Sequence, residues 1–98
     1  MEYEWNEEKN RSNRAKHHIR FETAIGVFDD PFELTEFDQF IDGEERWKTI
    51  GTIPNWSVLV VIYVERDRED VAVTRIISAR AATKEERKRY ERHRRKDR

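Results

Sequence analysis

Four cations offer the first chemistry. Arg46 and Lys48 project from one face of a segment with strand-like alternation. Arg75 stands mid-strand in an otherwise apolar pattern, where a charge calls for a reason, and Arg80 sits at a strand end before Ala81-Ala82. Glu65 closes the most hydrophobic segment, and Tyr90 is the one aromatic residue of a basic C-terminal stretch. Guanidinium groups grip a phosphodiester and stabilise the charge added in its transition state. A Glu or His beside them can act as general base or acid. A sheet surface with several Arg and Lys, one carboxylate and a basic helix nearby suits a phosphodiester. The same residues also suit ordinary salt bridges on an outer sheet face.

Other chemistries find fewer residues. The chain has no cysteine, which excludes disulfides, a thiolate nucleophile, thiolate zinc sites and cysteine-bound iron–sulfur clusters. His17-His18 and the distant His93 lack the i, i+4 spacing of a helical zinc pair, so no metal site is expected. Asp29-Asp30 and Glu44-Glu45 are neighbours whose side chains point apart in a strand or loop. Gly26, Gly43 and Gly51 are too scattered for a phosphate-cradling loop, and Ser12, Ser57 and Ser78 stand in no elbow motif. No cofactor is expected.

Ninety-eight residues make a single domain, 1–98. Charged residues are 42% of the chain, yet its 11% aromatic content is too high for a disordered one. The formal net charge of −1 hides an asymmetry: residues 83–98 carry a net +5 and residues 1–82 a net −6. Such a basic tail can meet phosphates, an acidic partner or water. The longest apolar run, Val58–Val64, is far short of the roughly 20 residues that span a bilayer. The start, Met1-Glu2-Tyr3-Glu4-Trp5, is acidic and no hydrophobic segment follows it, so a soluble cytoplasmic protein is expected.

Glu2–Trp5 reads as a short edge strand. Asn6 caps a helix that runs to about His17, with Glu7 and Glu8 at its positive end. That helix is poor in apolar residues and should lie on the surface. Phe21, Ala24/Ile25 and Phe28 give a short second helix, ended by Asp29-Asp30-Pro31. Strands follow at Glu33–Gln39, Arg46–Ile53, Ser57–Glu65 and Val71–Arg80, with an Asp42-Gly43 turn and a charged loop at Arg66–Asp70. Ser57–Glu65 is the central strand. Strict alternation in the last strand puts Arg75 with Ile77 and Ala79 on one face, and Arg80 with Ser78 and Ile76 on the other. Thr83-Lys84-Glu85-Glu86 is a capping box opening a last helix, 83–98. With almost no apolar face, that helix should fray or dock on a partner. The class is α+β: two helices, an antiparallel sheet of about four strands, one helix.

These segments resemble a known family. Trp5-Asn6-x-x-Lys9, Asn13-x-x-Lys16-His17, Phe21-Glu22-x-Ala24 and Val27-Phe28-Asp29 are similar to the N-terminal half of the BrnT toxins. Gly43-Glu44-Glu45-Arg46-Trp47-x-Thr49-Ile50-Gly51 and Tyr63-x-Glu65-Arg66 resemble its middle. Arg75-Ile76-Ile77-Ser78-Ala79-Arg80-x-Ala82-Thr83-x-x-Glu86-Arg87-x-x-Tyr90 resembles its C-terminal signature. His18 departs from the pattern, since relatives commonly place glycine after the Lys-His pair. The basic residues after Tyr90 map onto no part of it.

The resemblance implies the toxin of a type II toxin–antitoxin pair, with a RelE-like fold, acting as a metal-independent ribonuclease that halts translation. It implies a BrnA-like ribbon-helix-helix antitoxin as partner, operator DNA bound only through that antitoxin, and a dimer of heterodimers. RNA would be cut by its own 2′-hydroxyl, with Glu65 or His17 as base. Arg46, Arg80 and Arg75 would stabilise the phosphate, and Lys16 or Tyr90 would stand near the leaving group. Lys48, Arg75 and Tyr90 would bind RNA. The rival expectation is a non-catalytic module that docks a DNA-binding partner.

Overall fold

The computed structural model describes residues 2–55 and 57–96. The β-branched run after Pro54 becomes the middle of a sheet, where a strand can bury both of its faces. In chain order the elements are β1 (Glu2–Glu4), α1 (Glu7–His17), α2 (Phe21–Ala24) with a 3₁₀ segment (Ile25–Asp29), β2 (Leu34–Ile41), β3 (Glu44–Thr52), β4 (Val58–Arg68), β5 (Val71–Ala81) and α3 (Lys84–Lys96). Of the expected last helix, residues 97–98 lie outside the described residues. The sheet order is β1-β5-β4-β3-β2.

The α+β class is as expected, but the sheet is mixed and five-stranded. The expected edge strand forms at Glu2–Glu4 and pairs with β5 in parallel. A three-residue strand carries no pattern from which its direction can be read. The second helix tightens to 3₁₀ after Ala24 and stops before Asp30-Pro31. The expected loop Arg66–Asp70 shrinks to Glu69-Asp70, both at positive φ (51° and 67°), a two-residue hairpin turn. The strands run on because their charges find partners: Arg66 pairs with Glu44 and Arg68 with Glu4.

Strict alternation fails in β5. Ile62 is opposite Ser78 and Tyr63 is opposite Ile76, so Ile77 is an extra residue, a β-bulge. Beyond it the faces exchange, and Arg75, Ser78 and Arg80 stand on one side of the sheet rather than two. A second bulge, at Asp38, interrupts β2 between Phe37 and Gln39.

Each face has its own core. α1, α2 and the 3₁₀ segment cover the first, where Phe21, Ala24 and Val27 pack on Leu59, Val61, Tyr63, Ile76 and Ala79. Gly51 lets the 3₁₀ segment approach, since a Cβ there would stand 3.0 Å from the Val27 carbonyl oxygen. On the second face Ile50, Val60 and Ile62 pack with Tyr90 of α3.

α1 holds on through amides rather than apolar side chains. Asn6 caps it, accepting from the Lys9 N–H at 3.1 Å. Buried Asn13 donates to the Ala79 carbonyl (2.8 Å) and accepts from the Ala79 N–H (3.1 Å), while buried Asn10 accepts from the Phe21 N–H (2.9 Å). The helix ends at His18, which takes the left-handed conformation (φ 61°) in place of glycine, at a cost of about 1–2 kcal/mol. Asn13→Ala strands both Ala79 backbone groups, each costing about 1–3 kcal/mol when buried and unpaired. Urea unfolding should therefore show a loss of about 2–3 kcal/mol. A loss below about 0.5 kcal/mol, the scale of a surface change, would show that α1 is held elsewhere.

Candidate functional site

The register puts Arg46 and Lys48 of β3, Arg66 and Arg68 of β4, and Arg75 and Arg80 of β5 on the face opposite α1. Part of that face lies under α3, and the rest is open. Helix α3 turns Glu86, Arg89, Tyr90, His93 and Arg94 inward, at i, i+3, i+4, i+7 and i+8, all buried or half-buried. Its inner side docks on the chain's own sheet. Tyr90 is fully buried, and its hydroxyl donates to Asp30 Oδ2 at 2.5 Å. Asp30 also accepts from the Thr52 N–H (2.9 Å) and the Phe32 N–H (2.8 Å). Burial raises the Asp30 carboxyl, but these hydrogen bonds outweigh it and the net direction is down. Burial and the bond to Asp30 push Tyr90 up to about 12. Tyr90, expected to bind RNA, is thus sealed in the core and bonded to a carboxylate.

Glu86 is the second anchor. The expected capping box forms: Thr83 Oγ1 accepts from the Glu86 N–H at 3.2 Å, and Glu86 Oε1 accepts from the Thr83 N–H at 2.9 Å. The same carboxylate accepts from both terminal nitrogens of Arg80 (2.6 and 3.0 Å) and from Lys48 Nζ (3.3 Å). Bonded to Arg80, the Glu86 carboxyl lies far below its ordinary range, and Arg80 is raised in turn. Glu36 of β2 accepts from Arg89 (2.9 and 3.0 Å) and pairs with Lys48 at 3.7 Å; the bond from Arg89 lowers its carboxyl.

Away from the helix, Arg75 reaches Glu4 at 3.5 Å. Arg46 differs: its Nε atom is buried and has no hydrogen-bond partner among the described residues. Asp38, set by its bulge, is close enough to Arg80 to contribute to raising it, and forms no ion pair among the described residues. Neither Asp38 nor Glu36 carried a sequence signal, and Glu86 was legible only as a local cap.

The other expected residues do not join this set. Glu65 is exposed on the α1 face, where Thr74 Oγ1 donates to it at 3.0 Å. His17 ends α1, half-buried, and Lys16 beside it is exposed; α1 packs on that same face. The sheet therefore separates Glu65, His17 and Lys16 from Arg46, Lys48, Arg75 and Arg80. Glu65 is also remote from the end of α1. Asn13 binds Ala79, whereas Glu65 is opposite Thr74, roughly 15 Å away along β5. Among the described residues no group of three or more His, Asp or Glu stands together as a metal-ligand set.

The geometry can be set beside known proteins. The family model for the ribonuclease toxin BrnT of type II toxin–antitoxin systems matches residues 5–86. The crystal structure of the Brucella abortus ribonuclease toxin BrnT superposes with a TM-score of 0.56 at 22% identity, over 86% of this chain and 99% of that one. At that identity the likeness concerns the fold. No curated protein sequence matches the chain.

The state of Glu86 makes stability depend on pH. A carboxyl lowered on folding contributes stability that is complete above its unfolded value, 4.5, and is lost as pH falls toward the folded one. Unfolding free energies should drop as pH falls below about 5, and Glu86→Gln should flatten this dependence. At neutral pH the variant should lose about 2 kcal/mol, less than a fully buried pair because Arg80 is partly exposed. Parallel profiles for the two proteins would show that this carboxylate is not the linked group.

Proposed function

Since the chain belongs to the family of BrnT ribonuclease toxins of type II toxin–antitoxin systems, we propose that it is a toxin that halts translation by cutting RNA on its cationic sheet face, without a metal ion. The observation that carries this reading is the gathering of Arg46, Lys48, Arg75 and Arg80 on one partly open face, with the buried Arg46 Nε lacking a partner among the described residues. The Arg46 side chain as a whole is half-buried and forms no ion pair among the described residues, so its guanidinium is the cation most available to a phosphate oxygen. The fold is read as the RelE-like one that the family resemblance implies.

In the proposed reaction the 2′-hydroxyl gives its proton to Asp38, the carboxylate near Arg80 that forms no ion pair among the described residues. The 2′ oxygen attacks the adjacent phosphorus, the bond to the 5′ oxygen breaks, and a 2′,3′-cyclic phosphate remains. Arg46 and Arg80 hold the non-bridging oxygens, Arg75, five residues from Arg80 along β5, holds a neighbouring phosphate of the strand, and Lys48 gives a proton to the departing 5′ oxygen. Acid–base transfer contributes about 10²–10⁴-fold, and each charge-stabilising donor about 10²–10³-fold. Glu65, His17 and Lys16 stand on the far side of the sheet and Tyr90 is buried, so none has a part in this assignment.

The proposed partner is a BrnA-like ribbon-helix-helix antitoxin that silences the toxin by covering the same cations and joins it in a dimer of heterodimers. Phe37 and Phe40, 53% and 65% exposed on the outermost strand β2, pair with Trp47 and Glu45 and so stand on the α1 face; an antitoxin that also takes them as apolar anchors wraps the β2 edge of the sheet. Charge attraction speeds such an encounter and apolar contacts set its lifetime.

Purified protein should degrade RNA in EDTA and leave 2′,3′-cyclic phosphate or 3′-phosphate ends. Loss of cleavage on chelation, or 5′-phosphate products, would sink the mechanism; RNA binding with no cleavage would favour the non-catalytic module. Asp38→Asn should lower kcat by about 10²-fold or more with the melting temperature unchanged. If Glu65→Gln produces that loss and Asp38→Asn does not, the base lies on the α1 face.

A further inference from the structure

We propose that the outward side of α3 is a second RNA-binding surface, on which Lys84, Arg87, Lys88, Arg92 and Arg95 hold the phosphate backbone of single-stranded RNA beyond the cleavage site. The inference rests on the ribonuclease reading and deepens it by saying where the rest of the strand lies.

The helix has two distinct sides. Glu86, Arg89, Tyr90 and Arg94 face the sheet and are engaged there, Arg94 over the Phe32 ring. The five cations recur at i, i+3, i+4, i+8 and i+11 on the opposite side, all exposed. Together with Glu91 they line a shallow groove of about 460 Å³. The stripe is about 16 Å long at the α-helical rise. Because α3 lies on the cationic face, its outward side borders the open part of that face.

Pairing separates the two sides. On the sheet, Lys48, Arg66, Arg68, Arg75 and Arg80, and on the inner side of α3 Arg89, each have a carboxylate partner. On the stripe, Lys88 meets Glu85 at 3.9 Å, and Lys84, Arg87, Arg92 and Arg95 form no ion pair among the described residues. Glu91 lies among these cations without forming one either. The fold therefore makes no use of this charge. The BrnT family match ends at residue 86, so nearly all of the stripe is additional to the matched region.

The stripe's composition selects its occupant. It holds no apolar side chain, whereas protein interfaces rest on buried apolar and aromatic anchors. Binding to a phosphate backbone needs cations alone, and arginine's planar fork matches phosphate oxygens. The acidic remainder of the chain, with a net −6 over residues 1–82, repels RNA from other sides.

The test uses the full chain, free of antitoxin, and a fluorescent 2′-O-methyl oligoribonucleotide, which 2′-hydroxyl attack cannot cleave. The Arg87→Gln, Arg92→Gln, Arg95→Gln triple variant should keep its melting temperature, because these side chains are exposed. The slope of log K against log salt should become shallower by about 2, and affinity at 0.1 M salt should fall about 100-fold, at about 0.7 of a counterion per contact. Unchanged affinity and slope would overturn the proposal. So would unchanged RNA binding accompanied by loss of the antitoxin complex, which would assign the stripe to a protein. Cleavage of natural RNA by the wild type is scored separately: its absence defeats the ribonuclease reading and leaves the binding result standing.

Discussion

One carboxylate joins the helix, the sheet and the cations. Glu86 closes the cap of α3, and the same oxygens hold Arg80 and Lys48. A helix with a single aromatic residue and no aliphatic stripe cannot be held on a sheet by apolar burial alone. Burying a carboxylate costs several kcal/mol, and ionic partners with good geometry offset most of that rather than exceed it. The value of the contact lies in position: hydrogen bonds from two sheet side chains and a backbone amide admit one placement of the helix start. The bond from Tyr90 to Asp30, one turn further on, fixes the helix direction.

The constraint reaches the proposed chemistry because the anchoring cations are also the ones offered to phosphate. Like charges crowded on one face would repel each other; Glu86, Glu36 and Glu4 between them offset three of the five charges of Arg80, Lys48, Arg89, Arg75 and Arg68. Side chains held in this way lose little further freedom on binding a phosphodiester. Arg46 is the exception in that network, with a buried donor left over. A guanidinium without an ion pair beside paired neighbours is where an incoming anion gains most.

The main strands and caps were legible in residue types: Asn6, Thr83 with Glu86, Asp42-Gly43 and the Val58–Val64 run each carry local physics that the fold keeps. The arrangement of the site was less so. A bulge is one extra residue, and Ile77 differs in no local property from its neighbours; yet it reverses the parity of β5 and puts Arg75 and Arg80 on one face. The same parity on β4 sends Glu65 to the other face. The docking of α3 was hidden for a different reason. Pattern reading looks for apolar stripes, and the inner side of this helix is written in Glu86, Arg89 and Tyr90, whose partners are 6 to 60 residues away.

The two sides of α3 follow from one economy of contacts. Since a few polar bonds fix the helix, its outward side carries no structural duty, and exposed charges there cost little at physiological ionic strength, where interactions fade over about 8 Å. The body supplies the complementary sign, so a basic helix on an acidic domain leaves the whole near neutral. A molecule of that kind has weak net attraction for polyanions but a strong dipolar field. In the proposed reading such a field draws RNA to one side, the side on which the sheet cations also open. The balance between residues 1–82 and 83–98 thus acts as an orienting device, with the polar anchoring of α3 as its structural precondition.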